Sequence, residues 1–163
     1  YDTSVAGSKK SFNDYQVGEL IDHIDGNTIC EADHLFATRL WQNNSKVHFD
    51  INAREDKKRL IYGGHIISLV RALSFNGLEN AQLIVGINGG THANPAFAED
   101  TIYCWSEVLD KIDLNVRNIA ALRLRSVGTK EKNHNMRLKS DDGKYLPNIV
   151  LDFDYWVLVP KEL

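Results

Sequence analysis

Over residues 64–75 the chain is apolar on almost every side. Ile66, Ile67, Leu69, Val70, Ala72, Leu73 and Phe75 leave only a narrow polar strip of His65, Ser68, Arg71 and Ser74. A helix with that distribution is normally buried among other elements. The pattern therefore predicts a buried helix over 64–75, ended by Asn76-Gly77, which tolerate positive φ. Beyond it the period shifts from helical to alternating, and strands are predicted over 82–88, 101–109, 119–127 and 149–159. In the second strand Ile102, Cys104 and Val108 share one face, with Tyr103, Trp105 and Leu109 on the other. In the third, Ala120, Leu122 and Leu124 alternate with Arg123 and Arg125. In the fourth, Ile149, Leu151, Phe153, Tyr155, Val157 and Val159 alternate with Asp152 and Asp154. These two acids stand to pair across strands with the two arginines. Long strands after one buried helix predict an α+β fold, a curved antiparallel sheet wrapped around that helix.

The N-terminal part is less regular. Residues 1–11 are small and polar and read as a loose arm, and 12–24 as an entry segment with a short strand. Thr28-Ile29-Cys30-Glu31 fits a capping box, with Thr28 accepting from a first-turn N–H and Glu31 reaching back. A helix should follow to about residue 40, with Leu35, Phe36, Ala37 and Leu40 available for packing. The stretch 42–60 reads as surface loop with a single helical turn, and 130–145 as a charged loop.

Length and composition narrow the functional classes. At 163 residues the chain suits one domain, placed at 12–163. A net charge of −3 argues against a nucleic-acid or membrane surface. No apolar run approaches transmembrane length, and no signal-peptide pattern is present. Cys30 and Cys104 make neither a disulfide framework nor a metal spacing, and predict reduced thiols in a cytoplasmic protein. His23, His34, His65 and His92 show no metal-ligand spacing either, so no metal is predicted. The run Gly86-Ile87-Asn88-Gly89-Gly90 lacks the lysine of a phosphate loop and reads better as a bulged strand. The chain begins at Tyr1 rather than methionine, so a longer parent protein is expected.

Two segments carry chemistry. In Gln42-Asn43-Asn44-Ser45-Lys46-Val47-His48-Phe49-Asp50 a histidine stands beside amides able to position water. The unperturbed histidine side chain has a pKa near neutrality, so a residue of this type can both take and return a proton. From spacing alone it reads as a surface-loop histidine. Asn43 is balanced between orienting water and ending a helix. Asp50 reads first as a helix N-cap and second as a partner of His48. In the other segment, Gly63-Gly64 opens the apolar helix, whose first N–H groups are unpaired and carry the positive end of its dipole. A general base near such an oxyanion site is the minimum for activating a carbonyl compound toward water. Ser68, one turn on, either supports the site or bonds back within the helix.

The opening "FNDYQVGELIDHIDGNTICEADH", the segment "VHFD" and the segment "YGGHIISL" together resemble the MaoC-like acyl-CoA dehydratase/hydratase branch of the hot-dog fold, over about 12–160. Within that branch, "ATRLWQNNSKVHFD", "RLIYGGHIISLVRALSFNGLENA", "INGGTHANPAFAEDTIYCWSEVLDK" and "NIVLDFDYWVLVP" resemble the second hot-dog unit of the mesaconyl-CoA hydratases (β-methylmalyl-CoA dehydratases). The resemblance implies a hydro-lyase on an enoyl-CoA thioester, such as mesaconyl-CoA/β-methylmalyl-CoA or a related (R)-3-hydroxyacyl-CoA. His48 would be its acid/base, Asn43 would position water, and the Gly64 N–H would stabilise the thioester oxygen. Ser68, Asp50, Tyr62, Gly63 and Arg59 are expected to contact substrate. Arg71 is a second candidate for a substrate carboxylate. The family's loop aspartate lies five residues before the histidine. That position is Asn43 here, and an amide cannot transfer a proton. No cofactor is implied beyond the coenzyme A of the substrate. Arg123, Arg125, Lys130, Lys132, Arg137 and Lys139 are candidates for its phosphates. The expected partner is a second hot-dog unit, in a homodimer or within one longer chain. The rival expectations are a hot-dog acyl-CoA thioesterase and a non-catalytic structural or substrate-binding half.

Overall fold

A computed structural model describes residues 5, 7–81, 83–132 and 137–161. Five strands, β1 (Leu20–Thr28), β2 (Leu83–His92), β3 (Thr101–Val116), β4 (Ile119–Thr129) and β5 (Ile149–Pro160), form one antiparallel sheet in the order β1-β3-β4-β5-β2. Two helices, α1 (Glu31–Leu40) and α2 (Gly63–Leu73), fall between β1 and β2 in the chain. Helix α2 lies against β1, β3, β4 and β5, and the α+β expectation holds. Gln82 of the predicted 82–88 strand and 133–136 of the predicted charged loop lie outside the described residues. So do residues 1–4 and 6 of the N-terminal arm. Of that arm, Ser8 and Lys10 are held at their carbonyls by the Asn80 amide, and Ser11 binds the Asp14 carboxylate.

Helix α2 begins one residue earlier than its pattern predicts and ends at Leu73, with Ser74 as its C-cap. Asn76-Gly77 forms the following turn instead, with Gly77 at φ +97°. Ile66 and Val70 are buried and Ile67, Leu69 and Leu73 are packed against the core, but Ala72 and Phe75 are exposed in this unit. The close approach of α2 to the sheet depends on Gly128 of β4. A Cβ there would stand 2.8 Å from Val70 Cγ2 and 3.3 Å from Leu151 Cβ. Gly128→Ala should therefore cost about 1–3 kcal/mol by overpacking, read as a lower urea midpoint. An unchanged midpoint would show that α2 has room to shift.

Strand pairing overrides the capping box expected at Thr28. That residue ends β1 opposite Thr101 of β3, their hydroxyls 2.7 Å apart, and α1 starts after Cys30 without a side-chain cap. Helix α1 also turns differently from its apolar pattern. It buries His34 and Thr38 and leaves Phe36 and Leu40 exposed. The 42–60 stretch holds two short turns, Lys46–His48 and Ile51–Ala53.

On the outer face of the sheet the expected cross-strand pairs form, each bidentate. Arg123 binds Asp154 at 2.9 and 2.6 Å, and Arg125 binds Asp152 at 2.7 and 2.6 Å. Beside them Trp105, Val127, Leu138 and Ile149 make a second small core, so part of the predicted charged loop is a packed flap. Strand β2 is bulged between Ile84 and Gly86 and between Ile87 and Gly89. Among the described residues no helix is long and apolar enough to cross a membrane.

Candidate active site

The site is assembled where the loop after α1 meets the mouth of α2. The chain leaves α1 through Gln42 at φ 52°, and the Asn43 N–H donates to Thr38 O (3.0 Å). The Asn43 side-chain oxygen accepts from the Ser45 N–H at 2.9 Å, which sets up the Lys46–His48 turn. Asp50 caps the Ile51–Ala53 turn by accepting from the Asn52 N–H at 2.9 Å. The chain then returns, and the Leu60 N–H donates to Val47 O at 2.9 Å. This return places the Leu60 carbonyl 2.7 Å from His48 Nδ1. A carbonyl oxygen only accepts, so Nδ1 carries the proton and Nε2 keeps its lone pair. That is the tautomer a general base requires.

His48 lines a cavity of about 370 Å³ together with Leu60, Ile61, Gly63, Ile66 and His92. Tyr62 is the N-cap of α2, and its ring meets the His48 ring edge-on at 5.9 Å. Gly63 and Gly64 open the first turn, in which the His65 and Ile66 N–H groups bond to Tyr62 O at 2.9 and 3.3 Å, while the two glycine N–H groups come too early in the helix to find a carbonyl within it. Both glycines leave room for an aromatic ring. A Cβ on Gly63 would stand 2.5 Å from His92 Nε2, and one on Gly64 2.6 Å from Tyr62 Cε1. A proton acceptor and a helix mouth thus border one cavity, a pairing suited to adding water to an activated carbonyl compound.

Over 99% of its length the chain is 57% identical to mesaconyl-CoA hydratase of Cereibacter sphaeroides and 52% identical to β-methylmalyl-CoA dehydratase of Chloroflexus aurantiacus. It spans about half of these curated relatives, 47% of each. A crystal structure of a putative MaoC domain protein dehydratase from Chloroflexus aurantiacus superposes on all of it, with a TM-score of 0.94 at 50% identity, and is covered to 48%. The chain folds as a hot-dog unit and is similar to one half of these proteins. A Mycobacterium tuberculosis protein described as a double hot-dog fold shares the fold at a TM-score of 0.65 and 21% identity; the match covers 97% of this chain and 44% of that one. No protein-family model matches.

Within this hot-dog unit the remaining predicted residues divide. Ser68 donates to Gly64 O at 2.9 Å, the back-bonding alternative, and so braces the first turn of α2. Arg59 is ion-paired with Glu31 and donates to Phe49 O at 3.1 Å. Arg71 donates to Ser74, Tyr155 and Ala81, an inward structural role. Of the predicted site residues His48 and Gly63 line the cavity, whereas Asn43, Asp50, Arg59, Tyr62, Gly64 and Ser68 do not. Of the basic candidates for phosphate contact, Arg123, Arg125, Lys130 and Arg137 are each engaged by an aspartate. Among the described residues no group of three His, Cys, Asp or Glu side chains is placed to hold a metal ion.

Two histidines that sequence spacing passed over stand at the candidate site. His92, at the end of β2, lines the cavity beside Gly63. His34, fully buried on α1, bonds to the backbone of both His48 and Tyr62. Neither stands at an apolar period or in a ligand motif, so no local signal marks them.

Proposed function

We propose that this hot-dog unit serves a hydro-lyase that reversibly adds water across a Cα=Cβ bond conjugated to a coenzyme A thioester. One observation carries the reading: the His48 imidazole, held by Leu60 O with its Nε2 lone pair kept, lines the cavity at the mouth of α2. In the hydration direction Nε2 takes a proton from water as the water oxygen bonds to Cβ. The π electrons move through Cα onto the thioester oxygen. First-turn amides of α2, with Gly64 as donor, stabilise that oxygen. The imidazolium returns the proton to Cα, and the enolate collapses to the saturated 3-hydroxyacyl thioester. The thioester itself activates the alkene, so the step calls for no redox cofactor, and coenzyme A enters as part of the substrate.

The two relatives' names support mesaconyl-CoA and β-methylmalyl-CoA as the substrate pair. The unit is read as working beside a second hot-dog unit, in the same longer chain or as another copy. The half-length match supports that, as does the unpaired edge β2, where Leu83, Val85 and Ile87 are 62, 52 and 65% exposed. A cytoplasmic setting suits the free thiols Cys30 and Cys104.

The test follows the conjugated-thioester absorbance of mesaconyl-CoA and crotonyl-CoA while assaying free thiol. Loss of absorbance without thiol release is expected. Thiol release would instead establish a thioesterase, and no change with either substrate would leave a non-catalytic half. Asn43→Asp probes the loop position of the usual acid. For a site matched to a doubly acidic substrate, the added negative charge should lower mesaconyl-CoA hydration by like-charge repulsion. A rise in crotonyl-CoA hydration would mark the amide as a degenerate relic of the catalytic pair.

A further inference from the structure

The loop that carries His48 is long, polar and mostly exposed, which is a poor platform for a catalytic base. Fixing such a segment costs backbone entropy at every residue, so specific bonds must hold it. His34 supplies two of them from inside the fold. Its side chain is 0% exposed. Nε2 lies 2.8 Å from His48 O, an acceptor, so Nε2 carries the proton. Nδ1 is then a lone-pair acceptor, and it receives the Tyr62 N–H at 3.3 Å. Tyr62 is the N-cap of α2. The His48 ring closes the circuit through Nδ1–H to Leu60 O, two residues before Tyr62.

We propose that His34 is a positioning residue: its imidazole fastens the His48 loop to the mouth of α2 and so sets the spacing between the base and the amides that stabilise the thioester oxygen. This rests on the hydratase reading of the site. Two alternatives fit less well. His34 is not among the cavity-lining residues, and both ring nitrogens are taken by main-chain groups, so it is not a second base. An imidazole that merely filled the core would need no acceptor aligned with a helix cap. Burial holds its pKa below the usual histidine value, which keeps the Nδ1 lone pair available.

The experiment compares His34→Gln and His34→Leu in the full-length protein that carries this unit. With its amide N–H at the His34 Nε2 position, glutamine keeps a donor for the His48 carbonyl but places no acceptor at the Nδ1 position for the Tyr62 N–H; leucine loses both. Glutamine should lower kcat about ten-fold and leucine about 10²-fold, with KM within about three-fold, as misplacement of a catalytic group predicts. Wild-type kcat in His34→Gln would overturn the proposal, as would equal losses in the two variants. If leucine prevents folding, the glutamine criterion stands alone. A second measurement is independent of turnover. Amide hydrogen exchange over 46–49 and 60–64 should quicken in His34→Gln, while the β4–β5 amides stay protected. Unchanged exchange there overturns the clamp even if the wild type hydrates neither thioester, a result that would separately end the hydratase reading.

Discussion

His48→Ala is expected to lower hydration turnover by about 10²–10⁴-fold, the usual contribution of a positioned acid/base, with little change in thermal midpoint. The imidazole is half-buried in a loop, and its side-chain contacts are few: Nδ1–H to Leu60 O and edge contacts with the Tyr62 and His34 rings. Losing one such hydrogen bond costs about 1 kcal/mol, too little to unfold the domain. The loop's own pairings, Leu60 N–H to Val47 O and His34 to His48 O, involve backbone and survive the substitution. A variant with native stability and native turnover would refute the mechanism, whatever Asn43 contributes. A variant that lost both together would show instead that the ring is structural.

Much of the architecture could be read ahead of the structure because its causes are local. The apolar circumference of α2 and the alternation in β3, β4 and β5 each state a burial pattern within one segment, and Arg123 and Arg125 announced their partners by alternating in register with the apolar face. The misreadings share an opposite cause. Thr28 has the right neighbours for a capping box, yet pairing with Thr101 extends β1 through it, and sequence cannot weigh a partner 73 residues away. In α1 the apolar residues Phe36 and Leu40 suggested the inner face. The structure instead turns His34 inward, because two backbone groups there need a donor and an acceptor. Asp50 was legible as a cap, and is one. The candidate site was half visible: His48 and the two glycines stand in recognisable segments, whereas His34 and His92 reach it only through tertiary contacts.

The second large effect is expected at Gly64, where adding one methyl group should lower turnover about 10²-fold without harming the fold. Alanine is the better helix former by about 1 kcal/mol, and Gly64 is not at a positive φ, so Gly64→Ala should hold or raise the thermal midpoint. The new Cβ, however, would stand 2.6–2.8 Å from Cε1, Cζ and the hydroxyl of Tyr62. The ring must swing away, and it is the ring that meets His48 edge-on at 5.9 Å. Moving it disturbs the base and the first-turn amides together, and a displacement of about 1 Å at a reacting centre is enough for a loss of that size. A double-mutant cycle identifies the route. If the Tyr62 ring transmits the clash, Gly64→Ala combined with Tyr62→Ala should fall no further than Tyr62→Ala alone. Additive losses would place the effect in the Gly64 amide itself, and undiminished turnover in Gly64→Ala would show that the site tolerates a side chain where the geometry leaves room for none.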